Sequence, residues 1–188
     1  MKDEILLVQK AKNGDNKAFG DLYDYYLPKI YRFIFLKIGG RKQDAEDISH
    51  HVFTQAWENM SKFEFQGFPF GSWLYRIASN AVIDYYRTFK NHFDIDETAQ
   101  ETLARDSGFE NRIDTAFDIE LAKTAISKLE HDQQNVVIMK FIDELSTKEI
   151  AQALGKTEGA IRVIQHRALK QIKSHIDASR NNPTIKEA

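Results

Sequence analysis

The sequence predicts an all-α protein made of two small helical domains joined by an acidic flexible linker. Apolar residues recur at helical spacing through most of the 188 residues, no strand pattern competes outside those helices, and acids concentrate in one aperiodic stretch. At about 100–200 residues per domain, this length allows one ordinary domain or two small ones. We expect an N-terminal domain over residues 1–92, a linker over 93–117, a C-terminal domain over 118–180 and a tail over 181–188.

Three helices are predicted in the N-terminal domain. The first covers about residues 17–38, where Pro28 should kink or interrupt the helix and Gly39-Gly40 should end it. The second covers about residues 44–60, with Asp44 as its capping residue. The third covers about residues 72–89 and follows a loop with three phenylalanines.

Charge is segregated along the chain, although the net charge is only −2. The stretch from His92 to Glu120 has nine acids against two bases, and the stretch from Lys156 to Arg180 has six bases against two acids. The acidic stretch has poor periodicity and too few apolar residues for a core, so we expect a mobile linker. The basic C-terminal stretch is a candidate nucleic-acid-binding surface.

Short helices are expected at about residues 119–129, 133–142, 147–154 and 159–175 of the C-terminal domain. Ser146 and Glu149 have the spacing of a capping box, Gly155 supplies a tight turn, and Thr157 can cap the last helix. The predicted inner face of that helix consists of Ile161, Ile164, Ala168, Leu169 and Ile172. Its predicted outer face consists of Arg162, Val163, His166, Arg167 and Lys170.

Two short helices, a tight glycine turn and a basic outer face are typical of a helix-turn-helix domain, whose second helix enters the major groove. Arginine can bond a guanine edge there, and other cations anchor phosphates. The alternative is a solvated basic helix in an ordinary bundle. The capping box and the small turn residues favour DNA binding.

Aromatic residues crowd one segment of the N-terminal domain. Residues 63–93 contain ten of the 22 aromatic side chains, and Arg76, Asn80, Asp84 and Arg87 recur there on one helical face. Aromatics beside amide and guanidinium groups suit unstacked single-stranded bases. The alternative, that these aromatics fill the core of a small domain, is equally consistent with the segment taken alone.

Composition excludes several classes of protein. The chain contains no cysteine, which excludes disulfides, thiol catalysis and cysteine zinc sites. The N-terminal segment is too charged for a signal peptide, and no stretch approaches 18 uncharged apolar residues, so a soluble cytoplasmic protein is expected. The acids at 44, 46 and 47 resemble a magnesium cluster, but no second carboxylate motif accompanies them. His50 and His51 point about 100° apart on a helix, so no metal or other cofactor is expected.

Three motifs in order resemble the extracytoplasmic-function sigma factors of the sigma-70 family. They are DAEDISHHVFTQAW at residues 44–57, FGSWLYRIASNAVIDYYR at residues 70–87 and the helix-turn-helix segment. The resemblance covers nearly the whole chain. It implies a non-enzymatic initiation factor that binds core RNA polymerase through the clamp coiled coil of the largest subunit. It also implies binding of promoter DNA, both duplex and melted, and regulation by an anti-sigma protein that clamps the domains together.

The resemblance also implies three sets of contact residues. Polymerase docking is expected from Asp44, Asp47, His50, His51, Thr54 and Glu58. Reading and melting of the minus-ten element are expected from Phe63, Phe65, Phe68, Arg76, Asn80, Asp84 and Arg87, with Tyr75 and Trp73 as contacts or core. Reading of the minus-thirty-five element is expected from Thr157, Arg162, Val163, His166, Arg167 and Lys170.

The chain departs from the family pattern at two positions. Thr88 follows Arg87 where the family often has a second arginine, and Ile164 stands where the reading helix often has one. Both departures weaken any prediction of the promoter sequence. The competing hypotheses are a helix-turn-helix regulator that binds duplex DNA without polymerase, and an enzyme with His50 and His51 in its site. No nucleophile–base pair, metal-ligand spacing or phosphate loop supports the enzyme.

Overall fold

The structure is a computed structural model that describes residues 3–65, 67–93 and 124–180. These residues form helices and connecting turns, and no strand occurs among them, which confirms the all-α prediction. The main helices are α1 (Glu4–Lys12), α2 (Asn16–Lys37), α3 (Lys42–Glu58), α4 (Phe70–Phe93), α5 (His131–Val137), α6 (Thr147–Leu154) and α7 (Glu158–Arg180). No helix in the described ranges is long and apolar enough to cross a membrane.

The N-terminal domain is a bundle of α1 to α4 built around α2. The Asp15 side chain begins α2 by accepting hydrogen bonds from the backbone N–H groups of residues 17 and 18, which would otherwise lack acceptors. The helix runs through Pro28 without interruption. It ends before Gly39 and Gly40, whose φ angles of 74° and 83° confirm the predicted glycine stop.

The C-terminal domain contains the predicted helix-turn-helix. Ser146 and Glu149 form both hydrogen bonds of the capping box at the start of α6. Gly155 ends α6 in the left-handed conformation, with φ 63°, and the Thr157 hydroxyl accepts from the Ala160 N–H at the start of α7. Helix α5 continues into a π-helical turn, Ile138–Ile142.

Two sequence predictions are wrong in detail. Helix α3 begins at Lys42 with Arg41 as its capping residue, so Asp44 does not cap it. Instead, the Asp44 carboxylate accepts a hydrogen bond from the Tyr85 hydroxyl at 2.5 Å. Leu169 was assigned to the inner face of α7 but is 42% exposed. It follows the buried Ala168, and a step of about 100° around the helix turns it out of the packed face.

The two domains pack directly on each other. Helix α6 lies against α4, and the π-helical turn lies against α2, so the buried residues of both domains form one continuous core. Most of the predicted linker lies outside the described residues, because only Phe93, the last residue of α4, is described. The predicted mobility of the linker and the predicted tail therefore stay predictions.

Candidate nucleic-acid interface

A cavity of about 210 Å³ opens at the N-terminal end of α4. It is lined by the loop that enters the helix, by the first turns of α4 and by one residue of α6, namely Lys62, Phe63, Glu64, Phe68, Pro69, Ser72, Trp73, Arg76 and Gln152. The ring centroids of Phe63 and Phe70 lie 5.5 Å apart, and those of Phe63 and Trp73 lie 5.0 Å apart. These contacts give the cavity a rigid aromatic wall.

The predicted minus-ten phenylalanines occupy different environments. Phe63 is only 8% exposed and belongs to the aromatic wall, whereas Phe65 is 47% exposed. Phe68 is half-buried at the cavity. Tyr75 is buried in the core beside Phe33, so of the two alternatives for this residue the structure selects core. Sequence periodicity did not separate Phe63 from Phe65 because loop residues have no helical register.

The outer face of α4 presents the predicted polar series. Arg76, Asn80, Asp84 and Arg87 are all exposed. An Arg87 guanidinium nitrogen lies 3.1 Å from an Asp84 carboxylate oxygen, an exposed pair that contributes little to stability. The face therefore offers an amide, a carboxylate and guanidinium groups along a single line beside the aromatic cavity.

Helix α6 lies against Arg76, the first residue of this polar series on α4. The Arg76 guanidinium donates to the carbonyl oxygens of Gln152 at 2.5 Å and Ala153 at 3.3 Å, both at the C-terminal end of α6. Cations are favoured there because the last carbonyls of a helix lack partners and carry negative partial charge. The Lys148 ammonium lies 5.3 Å from the centroid of the Phe68 ring.

The outer face of α3 carries the predicted docking residues beside an apolar concavity. Asp47, His50, His51, Thr54 and Glu58 are exposed, whereas Asp44 is half-buried against α4 through its bond to the Tyr85 hydroxyl. The concavity, of about 340 Å³, lies between α2 and α3 and is lined by Asn16, Phe19, Tyr23, His50, Phe53, Thr54 and Trp57. Trp57 is 37% exposed, and its ring centroid lies 4.8 Å from that of Phe19. The sequence analysis did not single out Trp57 as a surface residue. It could have been found as a large apolar side chain on an otherwise polar helical face.

The outer face of α7 is basic and uncovered by other described elements. Thr157, Arg162, Val163, His166, Arg167 and Lys170 are all exposed. Only Arg162 among them has a side-chain ion pair in the described residues, with Glu158 at 3.1 Å. Val163 offers an apolar contact for a thymine methyl group, and the cations suit guanine edges and phosphates.

Both domains match known families. Residues 22–92 match Sigma-70 region 2, and residues 119–172 match Sigma-70, region 4. The chain is 31% identical over 180 residues to the ECF RNA polymerase sigma factor SigW of Bacillus subtilis, covering 90% of this chain and 94% of SigW. This chain is an ECF sigma factor. It is accordingly a promoter-specific transcription initiation factor that works with RNA polymerase.

Other comparisons agree with this assignment. The sigma factor is 34% identical over 172 residues to the ECF RNA polymerase sigma factor BldN of Streptomyces coelicolor, of whose length it spans 63%. Its fold resembles that of CnrH in complex with the cytosolic domain of CnrY, with a TM-score of 0.72, 22% identity and coverage of 94% and 99% of the two chains. It also resembles RpoE in complex with the anti-sigma factor NepR from Bartonella quintana, with a TM-score of 0.65, 20% identity and coverage of 86% and 98%.

A polar cluster is buried where the two domains of the sigma factor meet. The Lys37 ammonium, only 3% exposed, donates to the Asn135 side-chain oxygen at 2.7 Å and to the His131 carbonyl oxygen at 3.3 Å. The Asn135 amide in turn donates to the Ser79 hydroxyl at 3.0 Å. Burial lowers the pKa of Lys37 to about 7, and Asp132 opposes this shift. The sequence could have indicated this cluster, because Lys37 falls at helical spacing after the buried apolar residues Ile30, Phe33 and Ile34 of α2.

An ion pair between an exposed arginine and a buried carboxylate forms a second contact between the domains. The Arg32 guanidinium donates twice to one oxygen of Asp143, at 2.9 Å and 2.5 Å, and the Asp143 side chain is fully buried. Burial raises the pKa of Asp143, while Arg32 and the Tyr75 hydroxyl act in the opposite direction. Asp143 directly follows the π-helical turn of the C-terminal domain. Sequence reasoning missed this pair because its partners are separated by 111 residues.

Proposed function

We propose that this sigma factor uses three separate surfaces. The outer face of α3 docks on the clamp coiled coil of the polymerase largest subunit, the loop 63–70 with α4 melts and reads the minus-ten element, and α7 reads the minus-thirty-five element. The observation that carries the proposal is that α7 presents an uncovered basic face in a chain that also places an aromatic cavity beside a polar helical face. We further infer that the protein acts in the cytoplasm and is not an enzyme.

Docking would combine an aromatic anchor with charge. Trp57, Phe19 and Tyr23 surround the apolar concavity, and exposed aromatic side chains in such concavities are typical binding hot spots. The exposed carboxylates of Asp47 and Glu58 on the same helix would steer it toward a basic partner surface. Asp44 contributes less directly, because its carboxylate is bonded to the Tyr85 hydroxyl.

Melting would depend on the cavity and the exposed loop. A base that leaves the duplex can stack on Phe65 or enter the cavity beside Trp73, and stacking is worth about 1–3 kcal/mol per base. Asn80 can bond the exposed edge of a base, and Arg87 can bind a phosphate. Phe63 would support this surface from behind rather than stack on a base.

The packed arrangement of the domains cannot serve both promoter elements at once. The two elements are about 25 base pairs apart, or roughly 85 Å at 3.4 Å per base pair. In this structure α6 lies directly on α4, and its C-terminal carbonyls hold Arg76. The domains must therefore separate before both elements are bound, and separation would also release Arg76 and Phe68 for DNA.

An anti-sigma protein is the partner expected to hold the packed arrangement. One structure of similar fold is described as such a complex, RpoE with the anti-sigma factor NepR, and another is described as CnrH in complex with the cytosolic domain of CnrY. Such a partner would stabilise the contacts of Lys37 with Asn135 and of Arg32 with Asp143 across the domain boundary.

The proposal is tested by transcription with purified core RNA polymerase on fragmented genomic DNA from the bacterium that encodes the chain. The 5′ ends of the transcripts are sequenced with and without the sigma factor. We expect a set of starts that requires it and shares sequence motifs near positions −10 and −35. A double variant, Arg162→Ala with Arg167→Ala, should still bind core polymerase but lose starts that depend on the upstream motif. Binding of duplex fragments without polymerase, and no new starts, would instead identify a helix-turn-helix regulator.

A further inference from the structure

Helix α1 holds both ends of the loop that leads into α4. The Lys12 ammonium, at the C-terminal end of α1, donates to the Phe63 carbonyl oxygen at 2.5 Å. The Glu4 carboxylate, at the N-terminal end, accepts from the Phe70 N–H at 2.5 Å. These contacts join residues that are 51 and 66 positions apart in the sequence. Eight residues of helix at 1.5 Å each separate the two side chains by roughly 12 Å along α1.

The Glu4 contact satisfies a specific electrostatic need. Phe70 is the first residue of α4, so its N–H has no acceptor within the helix, and a carboxylate is favoured at that positive end. The second oxygen of Glu4 accepts from the Tyr26 hydroxyl at 3.0 Å. Burial and the neighbouring Glu4 raise the pKa of Tyr26, so this phenol remains a proton donor at physiological pH.

Tyr26 lies directly against the first turn of α4, because α2 and α4 approach each other closely there. A β-carbon placed on Gly71 would lie 2.6 Å from a ring carbon of Tyr26, closer than side chains tolerate. The loop is thus attached at Phe63 by a cation and at Phe70 by an anion, and both attachments come from one rigid helix. Of the described loop residues between these points, Glu64, Phe68 and Pro69 line the cavity, and Phe65 projects into solvent.

We propose that α1 presets the shape of the minus-ten reading loop, with Glu4 and Lys12 as positioning residues that touch no DNA. This inference rests on the proposed role of loop 63–70 in melting. With both ends attached to α1, the loop keeps the cavity open at the width set by that helix. Loss of either attachment lets the loop sample other shapes, so fewer molecules are ready to accept an unstacked base.

The test compares open-complex formation by holoenzymes containing Glu4→Ala, Lys12→Ala or the control Lys10→Ala. Lys10 lies on the same helix and is exposed, and its replacement removes the same positive charge as Lys12→Ala without removing a contact to the loop. The templates are a duplex promoter recovered from the genomic transcription experiment and the same promoter with a pre-melted minus-ten bubble. A hydrogen bond to a charged group is worth a factor of roughly ten to a hundred. We expect about tenfold slower opening of the duplex by the two loop-end variants and no change for Lys10→Ala.

Two further measurements separate positioning from a general loss of structure. Affinity for core polymerase should stay unchanged in all three variants, because none of the three residues lies on α3 or lines the concavity beside its outer face. Glu4→Gln and Lys12→Arg keep an acceptor and a donor, so each should recover most of the opening rate. Reduced polymerase affinity, an equal defect on the bubble template, or no rescue by these conservative variants would overturn the inference.

A failure of this inference is distinguishable from a failure of the proposed function. Phe65→Ala removes an exposed loop aromatic without touching either attachment. If Phe65→Ala slows opening while Glu4→Ala and Lys12→Ala do not, the loop reads DNA but α1 does not preset it. If none of the three slows opening, the role of the loop in melting is wrong as well.

Discussion

Raising the pH from 7 to 9 should shift the two domains toward the packed arrangement. In that arrangement the Lys37 ammonium is buried and has only neutral acceptors, the side chain of Asn135 and the carbonyl of His131. When the domains separate, Lys37 regains water and the ordinary lysine pKa of about 10.5, against about 7 when packed. The packed arrangement binds fewer protons between these values, so rising pH favours it.

The magnitude follows from the two pKa values. Their difference corresponds to about 5 kcal/mol at 1.36 kcal/mol per pH unit. Below pH 7 Lys37 is charged in both arrangements. The free-energy cost of burying its charge in the packed arrangement is then at its maximum and nearly constant. From pH 7 to 10.5 the cost falls by up to about 1.4 kcal/mol per pH unit, which is about tenfold in the packing equilibrium. Asp132 favours the charged lysine, and this opposing influence is already contained in the pKa of about 7.

His131 creates a second pH window. Burial and the neighbouring Lys37 lower its pKa to about 4, so a neutral imidazole is favoured in the packed arrangement. Packing should therefore weaken again as the pH falls from 6.5 toward 4, to the extent that separation exposes this ring. The Lys37 effect is read between pH 7 and 9, well above the His131 window.

Energy transfer between two dyes measures this equilibrium. The sequence has no cysteine, so Gln43→Cys and Ser174→Cys introduce unique dye sites at exposed positions of α3 and α7. The matched control adds Lys37→Met, which keeps an unbranched side chain of similar length but removes the charge. We expect transfer efficiency to change between pH 7 and 9 in the protein with Lys37 and to stay constant in the methionine variant. Identical pH profiles, or separation on raising the pH, would refute the reasoning.

Three further predictions concern single sites. Arg162→Ala should cost about 1–3 kcal/mol of discrimination at the minus-thirty-five element, measured by transcription from promoters with altered upstream motifs, and normal use of every promoter would contradict its placement in the groove. Phe65→Ala should slow opening of a duplex promoter and be rescued by a pre-melted bubble, whereas an equal defect on both templates would argue against melting. Gly71→Ala should destabilise the fold by about 1–3 kcal/mol in urea unfolding, because its β-carbon meets Tyr26, while Gly20→Ala in open helix surface should not destabilise.

The helix-turn-helix shows how far local signals reach. Ser146, Glu149, Gly155 and Thr157 act within a few residues of their own positions, and the structure confirms each of them. The outer face of α7 was likewise predictable, because helical periodicity places residues on faces without knowledge of the neighbours. Leu169 was misassigned because it borders the packed stripe, where a small rotation of the helix decides exposure.

Loop and boundary residues were harder to predict. Phe63 and Phe65 are two positions apart in one aromatic run. Phe63 is buried because it packs against Phe70 and Trp73, whereas Phe65 is exposed. Asp44 was predicted to cap α3, but the helix begins two residues earlier, and the Asp44 carboxylate instead accepts from the Tyr85 hydroxyl, 41 residues away. Tertiary contacts therefore override the local preference of a residue for a given secondary-structure position.

The sequence by itself determined most of the helices, the capping of α6 and α7, the acidic middle and the faces that carry charge, but it did not predict α1 or the cap of α3. These features depend on hydrogen bonds and spacings within a few residues, which the order of amino acids specifies directly. The tertiary structure decided which faces are covered: α6 holds Arg76, α5 buries Lys37, and α1 holds the loop of α4. Such contacts join residues 51 to 98 positions apart, and they form only when the packing of whole helices brings their ends together.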